Sequence, residues 1–339
     1  MVMAVARAAR WLVVMLSVMP RLLLAQNGEA APVSSGASAA RVAVVRRDSS
    51  TAYVYSRPRL FHAVTDAPAA LGMSAREAVR GRHLPALVAV AASTAALIGA
   101  DESVLAETRR LARRVDLPQN HPSANLRVGP LKQPFPTTLG SGLYFLGDGM
   151  TSMFLAGGFA VRGSLADDTR ARRTASEVVE ALLVSGTVTQ VLKHVAGRQT
   201  PSEATVPRGR WRPFPKLSDY SANVPAYDAF PSGHLASTMA TLTVVALNYP
   251  EHKFIWPVSA GAMGVLSFAM VNNGVHWASD YPLALAIGGV VGEVVATRGR
   301  KVVPVTSEPC SPIPTSRDRA ALSIAPLLAP GVFGVRVLW

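Results

Sequence analysis

The 339-residue chain holds a single cysteine, Cys310, so no internal disulfide can form. Charge is scarce as well. Only 16% of the residues are charged while 49% are hydrophobic, a balance that argues against an ordinary soluble enzyme and for membrane contact. Aromatic residues make up 6%, and they form no RNA-binding motif. Zinc-finger spacing and a recognition-helix signature are also lacking. These absences exclude nucleic acid as a partner, although the formal net charge is +13. The positive excess is almost all arginine. It suits anionic lipid headgroups or phosphorylated substrates, unless it reflects only an alanine- and arginine-rich composition. No internal repeat is evident.

What is present begins with an address. Arg7 and Arg10 precede an apolar run from Trp11 to Met19, and Leu22 to Ala25 lead into a polar stretch. Residues 1–25 read as a secretory signal peptide or, because Pro20 and Arg21 interrupt the run, an uncleaved anchor. The expected location is the cell membrane facing the periplasm, or the periplasm itself. Residues 26–60 read as a flexible linker. Six apolar segments follow at 84–100, 139–161, 175–195, 234–249, 254–271 and 282–297. Each has helix length, and several approach the roughly 20 residues that cross a bilayer. They form either membrane spans or a tightly packed soluble bundle, within a helical domain over 61–300. The connection 202–229 is long enough to be a functional loop. The tail 301–339 is proline-rich and ends in an alternating, strand-like stretch.

Three short segments carry chemistry. Pro231-Ser232-Gly233-His234 opens an apolar helix. Free N–H groups and the positive dipole end make a helix N-terminus a ready anion site. Ser232 can donate its hydroxyl, Gly233 lets the backbone approach, and His234 can protonate a leaving oxygen. His276 and Asp280 stand four apart, so a helix would place them on one face, with the carboxylate orienting the imidazole as a nucleophile. Lys193 lies near a helix end as a point charge for phosphate, and Arg198 is a further anion contact or a cap. Each segment also has a plain structural reading: a Pro-Ser helix cap, a surface His–Asp pair, a solvated lysine.

Taken together in this order, the three segments resemble the type 2 phosphatidic acid phosphatase superfamily, which includes bacterial acid phosphatases and vanadium haloperoxidases. Its pattern is Lys, six residues, Arg-Pro; then Pro-Ser-Gly-His; then Ser-Arg, five residues, His, three residues, Asp. The resemblance covers roughly residues 80 to 300. It implies an all-α fold, a membrane-associated bundle of about six helices with the site at one end. It also implies roles: Lys193, Ser232 and Gly233 holding phosphate, His234 as general acid, His276 as nucleophile and Asp280 as its orienter. No metal or other cofactor is implied, since the histidine itself is the nucleophile.

Two departures stand out. Thr200 and Met270 occupy the positions where the family carries arginines that clamp the phosphoryl group. Each such contact is worth about 2–4 kcal/mol to the transition state. Arg198, or Arg208, Arg210 and Arg212 of the long loop, could restore part of the charge. Restoring arginine at both positions is expected to raise activity. Vanadate-dependent haloperoxidase chemistry is disfavoured, because it needs a tightly held oxyanion. The expected function is a phosphatase acting on a lipid phosphate or another phosphate monoester or pyrophosphate through a phosphohistidine. The alternative is a non-catalytic member acting as a membrane binding or scaffold protein.

Overall fold

The computed structural model describes residues 42–47, 50–119, 123–128, 131–136, 142, 145, 147, 149–304, 323–329 and 332–338. The expected signal peptide, Cys310 and most of the proline-rich tail lie outside these residues. Two compact units are present, 1–304 and 305–339.

The larger unit is helical, as the apolar segments require. The first helix, α1 (His62–Ala78), is followed by α2 (Leu84–Arg114), α3 (Gly149–Leu165), α4 (Thr169–Ala196), the short α5 (Leu217–Ala222), α6 (Gly233–Asn248), α7 (Ile255–Asn272) and α8 (Tyr281–Arg298). The six apolar segments fall on α2, α3 (from Gly149), α4, α6, α7 and α8, and α1 adds a seventh helix of comparable length among the described residues. The run that begins at 84 continues well past its expected end, to Arg114, because Asp101 is buried and paired rather than terminating the helix.

Local signals set the ends. Asp168 caps α4, its carboxylate accepting from the Ala171 N–H at 2.9 Å. Gly197 ends α4 in the left-handed region (φ 55°), and its N–H donates to the Lys193 carbonyl. A Cβ at Gly197 would overlap the Arg212 carbonyl, so glycine there also lets the long loop fold back on the helix end. Ser232 caps α6 by accepting from the Leu235 N–H at 3.3 Å. Gly288 and Gly292 of α8 lie against the Ala236 and Ala240 carbonyls of α6, where a Cβ would not fit. Small residues at these points let α6 and α8 approach closely, which sets their N-termini side by side.

α2, α4, α7 and the segment 278–298 are long and apolar enough to cross a membrane. Val88, Phe154, Val161, Val191, Val258 and Val265 are exposed on the outer faces of the bundle. An apolar girdle of this kind is what lipid-facing helices present, and it favours the membrane-spanning reading over a soluble bundle.

Away from the α6 and α8 N-termini, a sheet closes the other end. Strand β1 (Val42–Arg46) pairs antiparallel with β2 (Thr51–Ser56), and β2 with a strand at Arg300–Pro304. Residues 42–46 and 51–56 are therefore not linker, as expected for 26–60. Their alternating side chains bury Tyr53 and Tyr55, which a solvated linker could not do. Beyond α2, β3 (Ser123–Val128) and β4 (Leu131–Pro136) form a hairpin. The strand at 300–304 is β5. In the smaller unit β6 (Ser323–Ala329) and β7 (Val332–Leu338) form an antiparallel hairpin, as the alternation at the C-terminus predicts.

Candidate active site

The three segments converge because four helix ends meet at one place. Lys193 lies in the last turn of α4, Ser232 to His234 open α6, His276 follows α7, and Asp280 immediately precedes α8. The Ser232 N–H donates to the Asp280 carbonyl at 3.1 Å, which ties the two helix starts together. A Cβ on Gly233 would stand 3.5 Å from Lys193 Nζ, so the ammonium lies against the α6 N-terminus. An oxyanion there would meet one full charge and a set of free backbone N–H groups.

His234 and His276 face each other, with His234 Nδ1 3.3 Å from His276 Nε2. His276 Nδ1 is 2.8 Å from the Ala229 carbonyl oxygen. A carbonyl can only accept, so Nδ1 carries the proton and Nε2 presents its lone pair toward His234. This differs in detail from the expected pairing with Asp280. The Asp280 carboxylate stands 3.6 Å from Nδ1, and its Oδ2 accepts from the Trp277 N–H at 2.7 Å. A backbone carbonyl fixes the tautomer, and the Asp280 carboxylate stands beside the ring.

His276 is 1% exposed. Burial, and then the Lys193 charge, push its pKa down to about 3. The imidazole is therefore neutral through the physiological range, the form a nucleophile needs. The unfolded chain would take up this proton near pH 6.5. With the folded value depressed, stability is complete above about pH 6.5 and is lost as pH falls toward 3. Acid unfolding followed by tryptophan fluorescence is expected to show this slope, and His276→Gln to flatten it; an unchanged slope in the variant would contradict the assignment.

Arg198 is placed differently from the expected phosphate contact. Its Nη1 donates to Ser279 Oγ and Asp280 Oδ1, both at 2.6 Å. Its Nη2 donates to Asp101 Oδ2 at 2.7 Å and to the Arg208 carbonyl at 2.9 Å, and Nε to the same carbonyl at 3.3 Å. All five guanidinium N–H groups are consumed, and the side chain is fully buried. Arg198 holds Asp280; it has no donor left for an anion.

The departures at 200 and 270 are built into the packing. Thr200 is buried in the loop, its N–H donating to the Pro225 carbonyl and its hydroxyl 3.0 Å from that of Ser202. Met270 is 0% exposed in a cluster with Leu235, Met263, Leu266 and Val271. An arginine at 270 would enter an apolar cluster, so the expected gain from restoring it meets a burial cost. Of the loop arginines, Arg212 comes to the rim, its Nη1 3.4 Å from Tyr227 Oη.

Two acidic positions in the site escaped sequence reasoning. Asp228 pairs with Lys193 at 2.7 Å and accepts from the Tyr220 hydroxyl at 2.6 Å. Its only linear mark is an acid shortly before the Pro-Ser-Gly-His segment. Asp101 accepts from Arg198, the Ser279 hydroxyl at 2.6 Å and the Ser279 N–H at 3.0 Å. Its signal was available: an acid inside an otherwise apolar helix needs a partner.

With this geometry in view, the chain can be set beside known proteins. Residues 174–302 match the PAP2 superfamily. No curated protein matches the chain. Among solved structures, a transmembrane PAP2-type phosphatidylglycerolphosphate phosphatase from Bacillus subtilis aligns over 70% of this chain and 96% of its own length. The identity is 15% and the TM-score 0.38.

Proposed function

With residues 174–302 matching the PAP2 superfamily, we propose that the chain is a membrane-associated phosphatase that cleaves a lipid phosphate, or another phosphate monoester or pyrophosphate, through a phosphohistidine. The observation that carries this reading is the pair of facing imidazoles, 3.3 Å apart, one of them locked with its lone pair toward the other.

In the first step the His276 Nε2 lone pair attacks phosphorus. The N–P bond forms, the P–O bond to the leaving group breaks, and the departing oxygen takes its electron pair and a proton from His234. The phosphorylated ring is positive while Nδ1 keeps its proton on the Ala229 carbonyl, and the Asp280 charge nearby favours that cation. In the second step water attacks, His234 takes its proton, and the N–P bond breaks to release phosphate. Lys193, the α6 N–H groups and Ser232 hold the phosphoryl oxygens. The leader at 1–25, if it exports the chain, sets this site on the periplasmic side.

A second reading, a non-catalytic binding or scaffold protein, is favoured by one observation. The neutral side chains at 200 and 270 are packed away, and Lys193 is already paired. The two readings separate on chemistry. Incubation with a 32P-labelled lipid phosphate, quenched in alkali, is expected to trap an acid-labile phosphoprotein that His276→Ala does not form. Turnover without any trapped label would remove the covalent route, and absence of both would leave the scaffold reading.

A further inference from the structure

α2 packs loosely on the rest of the bundle. Only 6% of its apolar window is buried, against 44%, 39% and 56% in the other three candidate spans. Between α2 and α8 runs an apolar groove of about 430 Å3, within the size range of small-molecule sites. Pro282, Ala286 and Glu293 line it along one face of α8, with Ala86 and Val90 opposite on α2 and Ser74 on α1. Both long walls belong to candidate membrane spans, so the groove lies at bilayer depth. From Pro282 to Glu293 α8 rises about 16 Å. That is about half of a hydrocarbon core of roughly 30 Å, the depth of one lipid chain in one leaflet.

One end of the groove is polar. Ala70 of α1 packs in one cluster with Val291 and Val295 of α8, which sets α1 against the Glu293 half. One turn on, Ser74 is 4% exposed, and its hydroxyl has no hydrogen-bond partner among the described residues. Glu293 brings the one carboxyl group that lines the groove, and among the described residues it meets no cation. The neighbouring charges are engaged elsewhere. Glu77 accepts from His83 Nε2 at 3.0 Å and pairs with Arg80 at 3.0 Å, and Arg298 pairs with Asp66 and Glu180. No lysine or arginine among the described residues lines the groove. A carboxyl group at bilayer depth is costly until it finds a partner.

We infer that this groove is a second lipid site, separate from the facing imidazoles, that takes a single-chain amine lipid from the bilayer. The alkyl chain lies between α2 and α8, and the ammonium donates to the Glu293 carboxylate and Ser74 Oγ. A fatty acid would set a second carboxylate beside Glu293, and a long-chain alcohol would leave Glu293 without a cation. The head end lies about 20 Å along α8 from Asp280, so a lipid seated this way does not present its head to His276. The inference does not depend on the phosphatase reading.

The test is photolabelling of the full chain in non-ionic detergent with a tetradecylamine that carries a diazirine in its chain, the labelled residues being mapped by mass spectrometry. Tetradecylamine, tetradecanol and myristate compete at equal micellar mole fraction. Label is expected on the α2 and α8 walls of the groove, with the amine displacing it at concentrations roughly tenfold lower than the alcohol and the acid. Glu293→Gln is expected to bring amine and alcohol to parity while the alcohol competes as before, which a misfolded variant would not do. Ala286→Trp, which fills the groove midway, is expected to remove the label. Equal competition by all three in wild type, an amine advantage that persists in Glu293→Gln, or label that leaves the groove walls unmarked would each overturn the inference. A higher KM of Ala286→Trp for a lipid phosphate but not for a soluble ester, without amine preference in the competition, would assign the groove to a substrate tail and overturn it as well.

Discussion

Replacement of His276 by alanine is expected to lower phosphate release from lipid phosphates by at least about four orders of magnitude, the scale seen when a nucleophile that acts within a coupled set is removed. The reason is geometric. Nε2 of His276 is the one imidazole nitrogen whose lone pair is set by a buried hydrogen bond on the far side of the ring, from Nδ1 to the Ala229 carbonyl at 2.8 Å. Without it, water would have to attack phosphorus directly, with no covalent intermediate to divide the reaction into two steps. The variant keeps Lys193 and the α6 N-terminus, so binding of substrate is expected to survive while kcat collapses. Measurement of kcat and KM separately, with the folded state checked by circular dichroism, tests this. A variant that loses only affinity would show His276 to be a ligand rather than the nucleophile.

The second large effect concerns the cluster behind His276. Arg198, Asp101 and Asp280 are all at 0% side-chain exposure, with the guanidinium bridging both carboxylates at 2.7 and 2.6 Å. Removing the cation leaves two carboxylates buried without it. Breaking a buried ion pair in this way costs about 3–5 kcal/mol. Arg198→Met is expected to lower the melting temperature markedly in detergent and to abolish activity, since Asp280 loses the group that fixes it. Arg198→Lys is expected to rescue little, because an ammonium cannot reproduce the planar fork that reaches both acids and the Arg208 carbonyl at once. Thermal unfolding of both variants beside wild type checks this; a methionine variant that melts like wild type would show that the cluster contributes no net stability. Trp211 and Trp277 flank the same guanidinium at 4.8 and 5.3 Å to their centroids, so the loss includes packing as well as charge.

The residues that could be read directly are those whose role depends on near neighbours. Lys193, Ser232, Gly233, His234, His276 and Asp280 were legible because each sits at a helix end marked by a cap, a glycine or a proline. Six of the seven long helices among the described residues were legible from apolar runs of helix length. The Arg198 assignment failed for a different reason. From sequence, an arginine beside a lysine in a phosphate site is another cation for the anion. Its actual partners, Asp101 and Asp280, lie about a hundred residues away in one direction and eighty in the other. The linker reading of 42–56 failed similarly, since β2 finds its second partner only at Arg300–Pro304.

The sequence by itself therefore determined the class of fold and the candidate reacting groups, because helix capping, apolar periodicity and residue chemistry act over a few positions. Only the tertiary structure decided how charge is distributed among those groups. Whether Lys193 faces an empty site or Asp228, and whether Arg198 meets a substrate or two carboxylates, depends on which side chains the close packing of α6 on α8 brings together. Electrostatic energy follows distance through space, and distance along the chain carries little information about it.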